Sequence, residues 1–237
     1  MGFSNKRTLV TGASRGIGRA IAAAFRAEGA WVIGTHVGDS PTHDECQEWL
    51  SADFAEMSQI EACAERVAEL APDILVNNAG VNKIGPFAEI APMDFLRIQQ
   101  VNVFAPFRMC QAAIPGMRRK GWGRIVNVSS IWGKISKEHR ASYSASKFAI
   151  DGLTAALAAE HSADGILANS VAPGFVDTEL TRRVLGDAGI ATLVSQVPAR
   201  RLGRPEEIAR LVLWLASEDN SYLTGQNLAI DGGFTRV

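Results

Sequence analysis

Short runs rich in Val, Ile and Leu alternate along the chain with longer stretches in which apolar positions return every three or four residues. The first pattern predicts buried strands and the second amphipathic helices. Residues 7–11 form the first strand run. The glycine-rich turn Gly12-Ala-Ser-Arg-Gly16-Ile-Gly18 follows, then a helix over 19–28 with Ala20, Ile21, Ala24 and Phe25 inward and Gly29 as its stop. Residues 31–36 are the second strand. Residues 38–47 are polar, with Pro41 early, and too few for a crossover helix with its loops. A truncated connection is therefore predicted, leading to a short third strand at 46–51 that runs out at Asp53. Residues 58–70 read as a helix with Ile60, Cys63, Val67 and Leu70 inward, and 73–80 as a fourth strand with a polar, small-residue end. One long helix is predicted over 93–118, with Asn102 polar amid Val101, Val103 and Phe104, and a bend at Pro106. Gly121 and Gly123 close it. Strands at 124–130, 166–172 and 227–231, and helices opening at Tyr143 and Pro205, complete the alternation. The mixed segment 177–197 reads as a mobile helical flap.

Strands alternating with helices predict one α/β domain over 1–237: a doubly wound, three-layer parallel sheet of Rossmann type with about seven strands. Gly12, Asn78, Ser130 and Pro173 each fall just after a strand, so they line one edge of the sheet, where ligands bind in such folds. The composition, 47% hydrophobic and 21% charged, suits one large core. A net charge of −1 implies no general attraction to nucleic acid or membrane surfaces. No apolar run approaches the roughly 18 residues of a membrane span, and no apolar leader precedes the first strand, so a soluble cytoplasmic protein is expected. Cys46, Cys63 and Cys110 are odd in number and lack metal-ligand spacing. They read as core filler in a reducing compartment, and no metal site is expected.

The stretch from Arg124 to Lys147 carries the candidate chemistry. Its buried strand ends in the hydroxyls Ser129 and Ser130, and Tyr143 and Lys147 stand four apart, on one helix face. A free Tyr titrates near pH 10, too high for proton transfer at neutral pH. An ammonium beside it favours the phenolate, and Ser130 could hold a substrate oxygen against the phenol. That set can move a proton on or off a carbonyl or alcohol oxygen. Taken alone, a Tyr–Lys pair at this spacing also suits a solvated helix surface. The glycine turn, placed between strand and helix, presents backbone N–H groups and a positive helix end to a pyrophosphate. The second strand ends in Thr35 and His36, with no carboxylate until Asp39, and Arg15 sits inside the turn. A strand-end carboxylate would select NAD, and a cation accommodates the 2′-phosphate of NADP. NADP(H) is therefore favoured over NAD(H).

Taken together, these motifs resemble the short-chain dehydrogenase/reductase family in its single-domain form, over almost the whole chain. Thr11, Gly12, Ser14, Arg15, Gly16, Ile17 and Gly18 look like its cofactor turn. Asp53, followed by Phe54, looks like its adenine-contacting acid, and Asn77-Asn78-Ala79-Gly80 like its sheet-stabilising motif. Asn102, Ser130, Tyr143 and Lys147 match its catalytic tetrad, since Ser130 stands the family's thirteen residues before Tyr143. The resemblance implies Tyr143 as acid/base, Lys147 depressing its pKa and bonding the nicotinamide ribose, Ser130 orienting the substrate oxygen, and Asn102 holding a relay water. A buried Asn bonding helix backbone is the other reading of Asn102. Pro173, Gly174, Val176 and Thr178 look like the loop over the nicotinamide, and Val101 and His36 complete the expected cofactor contacts. The nearest subgroup resembled is the 3-oxoacyl-carrier-protein reductases. Lys120 falls where they carry a base, whereas Asp164 and the shortened connection depart from them. The resemblance also implies a homotetramer, with Phe104, Phe107 and Met109 on one interface and Trp214 and Phe234 on another. The implied activity is interconversion of a carbonyl and a secondary alcohol on a small substrate. An NAD-linked sugar, alcohol or dihydrodiol dehydrogenase is the alternative, and a non-catalytic dinucleotide sensor a more distant one. Lys83, Trp132, Lys134, Lys137, His139, Arg140, Arg182 and Arg183 are expected on the substrate rim, suiting an anionic or polyhydroxylated substrate or else a solvated loop.

Overall fold

A computed structural model describes residues 2–237. Seven parallel strands form one sheet: β1 (Arg7–Val10), β2 (Trp31–His36), β3 (Glu48–Ser51), β4 (Ile74–Asn77), β5 (Gly123–Val128), β6 (Ile166–Pro173) and β7 (Asn227–Ile230). Their order is β3-β2-β1-β4-β5-β6-β7. This is the doubly wound Rossmann arrangement, in which the chain starts at the centre, winds out one way and returns to wind out the other.

Alternation of side chains across each strand builds two cores. Leu9, Ile33, Leu75 and Ile125 face one layer, formed by α2 (Met57–Leu70) and α4 (Ala105–Lys120). Val10, Val32, Val76 and Val126 face the other, formed by α1 (Gly16–Ala27) and α7 (Pro205–Ala216). β5 and β6 are buried end to end, as expected for parallel strands covered on both faces. α3 (Pro92–Gln99), α5 (Ala141–His161) and α6 (Glu179–Ser195) complete the helices. α6 is broken at Gly186, whose φ of 60° departs from helix.

Two expectations are adjusted. The long helix is present, but its irregularity lies upstream of Pro106, as a π-helical turn over Gln100–Phe104. Pro106 has no N–H to offer the carbonyl of Asn102, four residues back, and the ladder slips so that Ala105 N–H bonds the Gln100 carbonyl, five back. The third strand begins at Glu48 rather than Cys46. Gln47 instead bonds the second strand through side chain and backbone, its Oε1 accepting from Val32 N–H at 2.7 Å. Cys46 fills the space beside Gly34. The connection between β2 and β3 is indeed helix-free. Its acids lie along α1, with Arg19 Nε donating to Glu45 at 2.7 Å and Arg26 paired with Asp44.

All three cysteines are buried and free, and burial pushes the Cys46 and Cys110 thiols up to about 12 and that of Cys63 to about 11. Among the described residues no helix is long and apolar enough to cross a membrane, and no cluster of potential metal ligands occurs.

Candidate active site

The carboxyl ends of β1 and β4 are stitched together before any ligand is considered. Thr11 Oγ1 accepts from the N–H groups of Asn78 and Ala79 at 2.9 and 3.0 Å. Asn78 Nδ2 returns two hydrogen bonds, to the carbonyls of Thr11 and Gly12 at 2.9 and 3.1 Å. Thr35, at the end of β2, accepts from Gly12 N–H at 2.9 Å. The Asn78 side chain is therefore committed to shaping the glycine turn. Gly18 packs so closely that an added Cβ would run into the Gly12 carbonyl and the Asn78 amide, and Gly12 needs a φ of +64°.

The turn leaves the first N–H groups of α1 without a side-chain cap and without an acidic residue in the first turn. Uncapped N–H groups at a positive helix end fit a pyrophosphate. Ser14, Gly16, Ile17 and Gly18 form its wall. Thr178 closes the opposite side, its Cγ2 standing 3.7 Å from where a Gly16 Cβ would lie, while its hydroxyl caps α6 through Thr181. Arg15 is exposed, with no ion pair to any described residue. His36 is buried with its ring edge-on to Trp49 and its Nδ1 unpartnered, so it is packed rather than presented. Sequence reading missed His43, which lies on the shortened connection and bonds the Ser14 carbonyl at 3.1 Å and the Glu45 carboxylate. No periodicity marks such a loop residue.

Other predicted contacts line the same edge. Asp53 accepts from Ala55 N–H at 2.9 Å. The Phe54 and Val101 side chains are buried in the core, and the Phe54 carbonyl accepts from Gln100 Nε2 at 3.1 Å. Gly80 lies beside Asn102 and Lys147. Pro173 ends β6, and Gly174 packs against the backbone of Asp231, where a Cβ would come within 2.7 Å. Val176 is buried and bridges to Gly203.

The second half of the cleft rises from β5 and α5. Ser130 Oγ accepts from Trp132 N–H at 3.2 Å and stands near enough to the Tyr143 phenol to act on its titration. Burial raises the Tyr143 pKa, and the Ser130 hydroxyl and the Arg140 charge pull against it without reversing the direction. This differs from the expected depression by Lys147. Lys147 is buried, donates to the Val128 carbonyl at 2.8 Å, and sits 5.6 Å from the Tyr143 ring centre. Burial brings its own pKa down to about 8. Gly133 permits the close approach of the Ser130 loop, since a Cβ there would stand 2.7 Å from the Lys147 carbonyl and the Ser129 hydroxyl.

Asn102 is used up as a clamp. Its Oδ1 accepts from Val81 N–H at 2.8 Å, and its Nδ2 donates to the Val81 carbonyl and to Ser146 Oγ. Below the site runs a buried polar ladder that sequence reading did not find: Asn77 to Asn127 at 2.8 Å, Asn127 to Thr154 at 2.9 Å, Thr154 to Ser170 at 2.7 Å. Strand register sets it, because Asn77 stands opposite Asn127 and Asn127 opposite Ser170.

The expected rim divides. Lys83 pairs with Asp94 and Arg182 with Asp177, and Lys134 donates to the Asn227 carbonyl. His139 and Arg183 are exposed. Trp132 joins Phe175 and Phe234 in an edge-to-face wall with centroids 5.0–6.3 Å apart. Phe234 thus packs against Trp132 and Phe175, and Met109 is core rather than helix surface.

A family model described as enoyl-(acyl carrier protein) reductase matches residues 12–235. An acetoacetyl-CoA reductase from Shinella zoogloeoides is 38% identical over 232 residues, covering 95% of this chain and 96% of that one. Among solved structures, a 3-oxoacyl (acyl-carrier-protein) reductase from Agrobacterium tumefaciens C58 with NADP bound superposes with a TM-score of 0.92 at 33% identity, covering 98% of this chain and 95% of that one. A gluconate 5-dehydrogenase from Burkholderia cenocepacia J2315, in complex with NADP and tartrate, does so with a TM-score of 0.90 at 30% identity, covering 100% and 97%.

Proposed function

The chain belongs to the short-chain dehydrogenase/reductase family, and from that premise we propose that it is an NADP(H)-dependent enzyme interconverting a carbonyl and a secondary alcohol on a small substrate. The observation that carries this reading is the convergence of Ser130, Tyr143 and Lys147 at the same sheet edge as the uncapped start of α1.

The nicotinamide cofactor supplies or accepts the hydride. Tyr143 moves the proton at the substrate oxygen, and Ser130 holds that oxygen against the phenol. A phenol kept protonated by burial is a proton donor at neutral pH, which suits reduction. Lys147, with a pKa brought down to about 8, is mostly charged at neutral pH and favours the phenolate as the proton leaves. The Asn102 side chain is occupied, so a relay water would sit on its main-chain carbonyl, which Pro106 leaves without the usual helical donor. Segment 177–197, broken at Gly186, is assigned as the flap over the substrate.

NADP(H) over NAD(H) is supported by the unpaired Arg15, by the absence of a carboxylate at the end of β2, and by the NADP in the structural relatives. A sugar-acid dehydrogenase working oxidatively is the second reading, favoured by the likeness to a gluconate 5-dehydrogenase. Self-association is assigned to α4 and α5, which expose Phe107 and Phe148 and flank an apolar groove of about 320 Å³ lined by Ile114, Leu153 and Leu157. A homotetramer in the cytoplasm is the assembly this reading implies.

The test is fluorescence titration of NADPH against NADH on the wild type and on Arg15→Ala, together with turnover of Tyr143→Phe. NADPH preference should collapse in Arg15→Ala. Tyr143→Phe should lose about 100-fold or more in turnover while still binding NADPH. Equal binding of both cofactors, or an active Tyr143→Phe, would overturn the respective half of the reading.

A further inference from the structure

Arg140 is the one expected rim cation that is both drawn into the cleft and left without an acceptor. It holds the N-cap position of α5, three residues before Tyr143, and its side chain makes no capping bond. The residue is half-buried, and its Nε is shut off from solvent with no hydrogen-bond partner. The guanidinium carbon lies 5.7 Å from the centre of the Trp132 indole, and its charge acts on the Tyr143 phenol. Among the described residues no carboxylate pairs with it. Lys83 and Arg182 pair with their own acids, and Lys134 bonds a backbone carbonyl, so these three are spoken for. Lys137, whose Nζ lies 5.9 Å from the same indole, adds a second positive charge over Trp132.

A half-buried guanidinium with an unsatisfied N–H carries an uncompensated desolvation cost, and burial pulls the Arg140 pKa below its ordinary value accordingly. The planar fork of Arg matches a carboxylate better than a point cation does. The aromatic wall of Trp132, Phe175 and Phe234 excludes water from one side, which strengthens such a bond. Its place just before α5, three residues ahead of Tyr143, sets this donor where its charge acts on the phenol that handles the reacting oxygen.

We propose that Arg140 binds the carboxylate of the substrate, so that the chain acts on a hydroxy- or oxo-carboxylate rather than on a neutral ketone or alcohol. This rests on the assignment of Tyr143 as the proton-transfer group and narrows the substrate class of that same site.

The experiment compares 2-oxobutanoate, 3-oxobutanoate and 5-oxohexanoate with their methyl esters. Turnover with NADPH and equilibrium binding to the NADP⁺-loaded protein by calorimetry are measured for wild type, Arg140→Gln and Arg140→Lys. In at least one pair the wild type should bind and turn over the acid in preference to its ester. The acid-to-ester ratio of kcat/KM should fall about 30-fold in Arg140→Gln, chiefly through KM, and recover in part in Arg140→Lys. An equal loss on acid and ester would overturn the proposal, because Arg140 would then act through Tyr143. A wild type that binds no acid more tightly than its ester overturns it whatever the turnover. Tyr143→Phe reads the underlying assignment separately, since it should abolish reduction and leave acid binding in place.

Discussion

Around the glycine turn after β1, three polar side chains are consumed within the chain. Thr11, Thr35 and Asn78 each bond backbone in the glycine turn or the strand beside it. At the β5–α5 side the opposite holds. Tyr143 is raised by burial, Lys147 reaches a single carbonyl, and Arg140 keeps an N–H with no acceptor. The first region spends its polar groups on shape, and its ligand contacts fall to backbone N–H groups. The second stores perturbed or unsatisfied groups beside one another, the kind of cluster that functional sites favour.

Substitutions can break this contrast. The largest effect is expected at Gly18. Gly18→Ala drives a methyl into the Gly12 carbonyl and Asn78, so it should cost about 1–3 kcal/mol of stability and weaken NADPH binding about tenfold or more. Thermal melts and the cofactor titration check it, and an unchanged NADPH affinity would mean the turn does not depend on this contact. Next comes the ladder under the site. Asn127→Ala leaves Thr154 and Asn77 short of a partner and should cost about 1–3 kcal/mol in urea unfolding, with little change in the pH profile of turnover.

The smallest and sharpest effect concerns Lys147. Its folded pKa of about 8 lies below the roughly 10.4 of a free lysine. Between those values the unfolded chain holds the proton and the folded one has released it, so stability should rise with pH from 8 to 10. Below pH 8 that contribution is absent. Lys147→Met should lack the rise, a difference on the order of 1–2 kcal/mol across that window. Parallel pH dependences in the two proteins would place the Lys147 amine in a wetter setting.

Strands, helices and the cofactor turn were legible because hydrophobic period and glycine placement are local signals. Ser130, Tyr143 and Lys147 were legible because spacing along a strand end and a helix face converts directly into proximity. The Asn77–Asn127–Thr154–Ser170 ladder was not, since it depends on the register of three strands against a helix, which no local pattern encodes. Nor was the separation of Arg140 from Lys83 and Arg182, which read alike as cations in sequence and differ only in whether a carboxylate has folded up beside them. The bend expected at Pro106 was assigned to the right residue with the wrong reach. The missing N–H acts four residues upstream, where the ladder must find another donor.

That slipped ladder has a geometric consequence. Each residue of an α-helix advances the side-chain direction by about 100°, and the π turn over Gln100–Phe104 inserts one residue out of phase. The segments before and after it therefore point their apolar stripes along different bearings. α3 packs on α5, whereas α4 packs on α2. The run from α3 through α4 thus works as a phase shifter, addressing α5 on one side and the sheet's helical layer on the other, with Asn102 at the point of rotation.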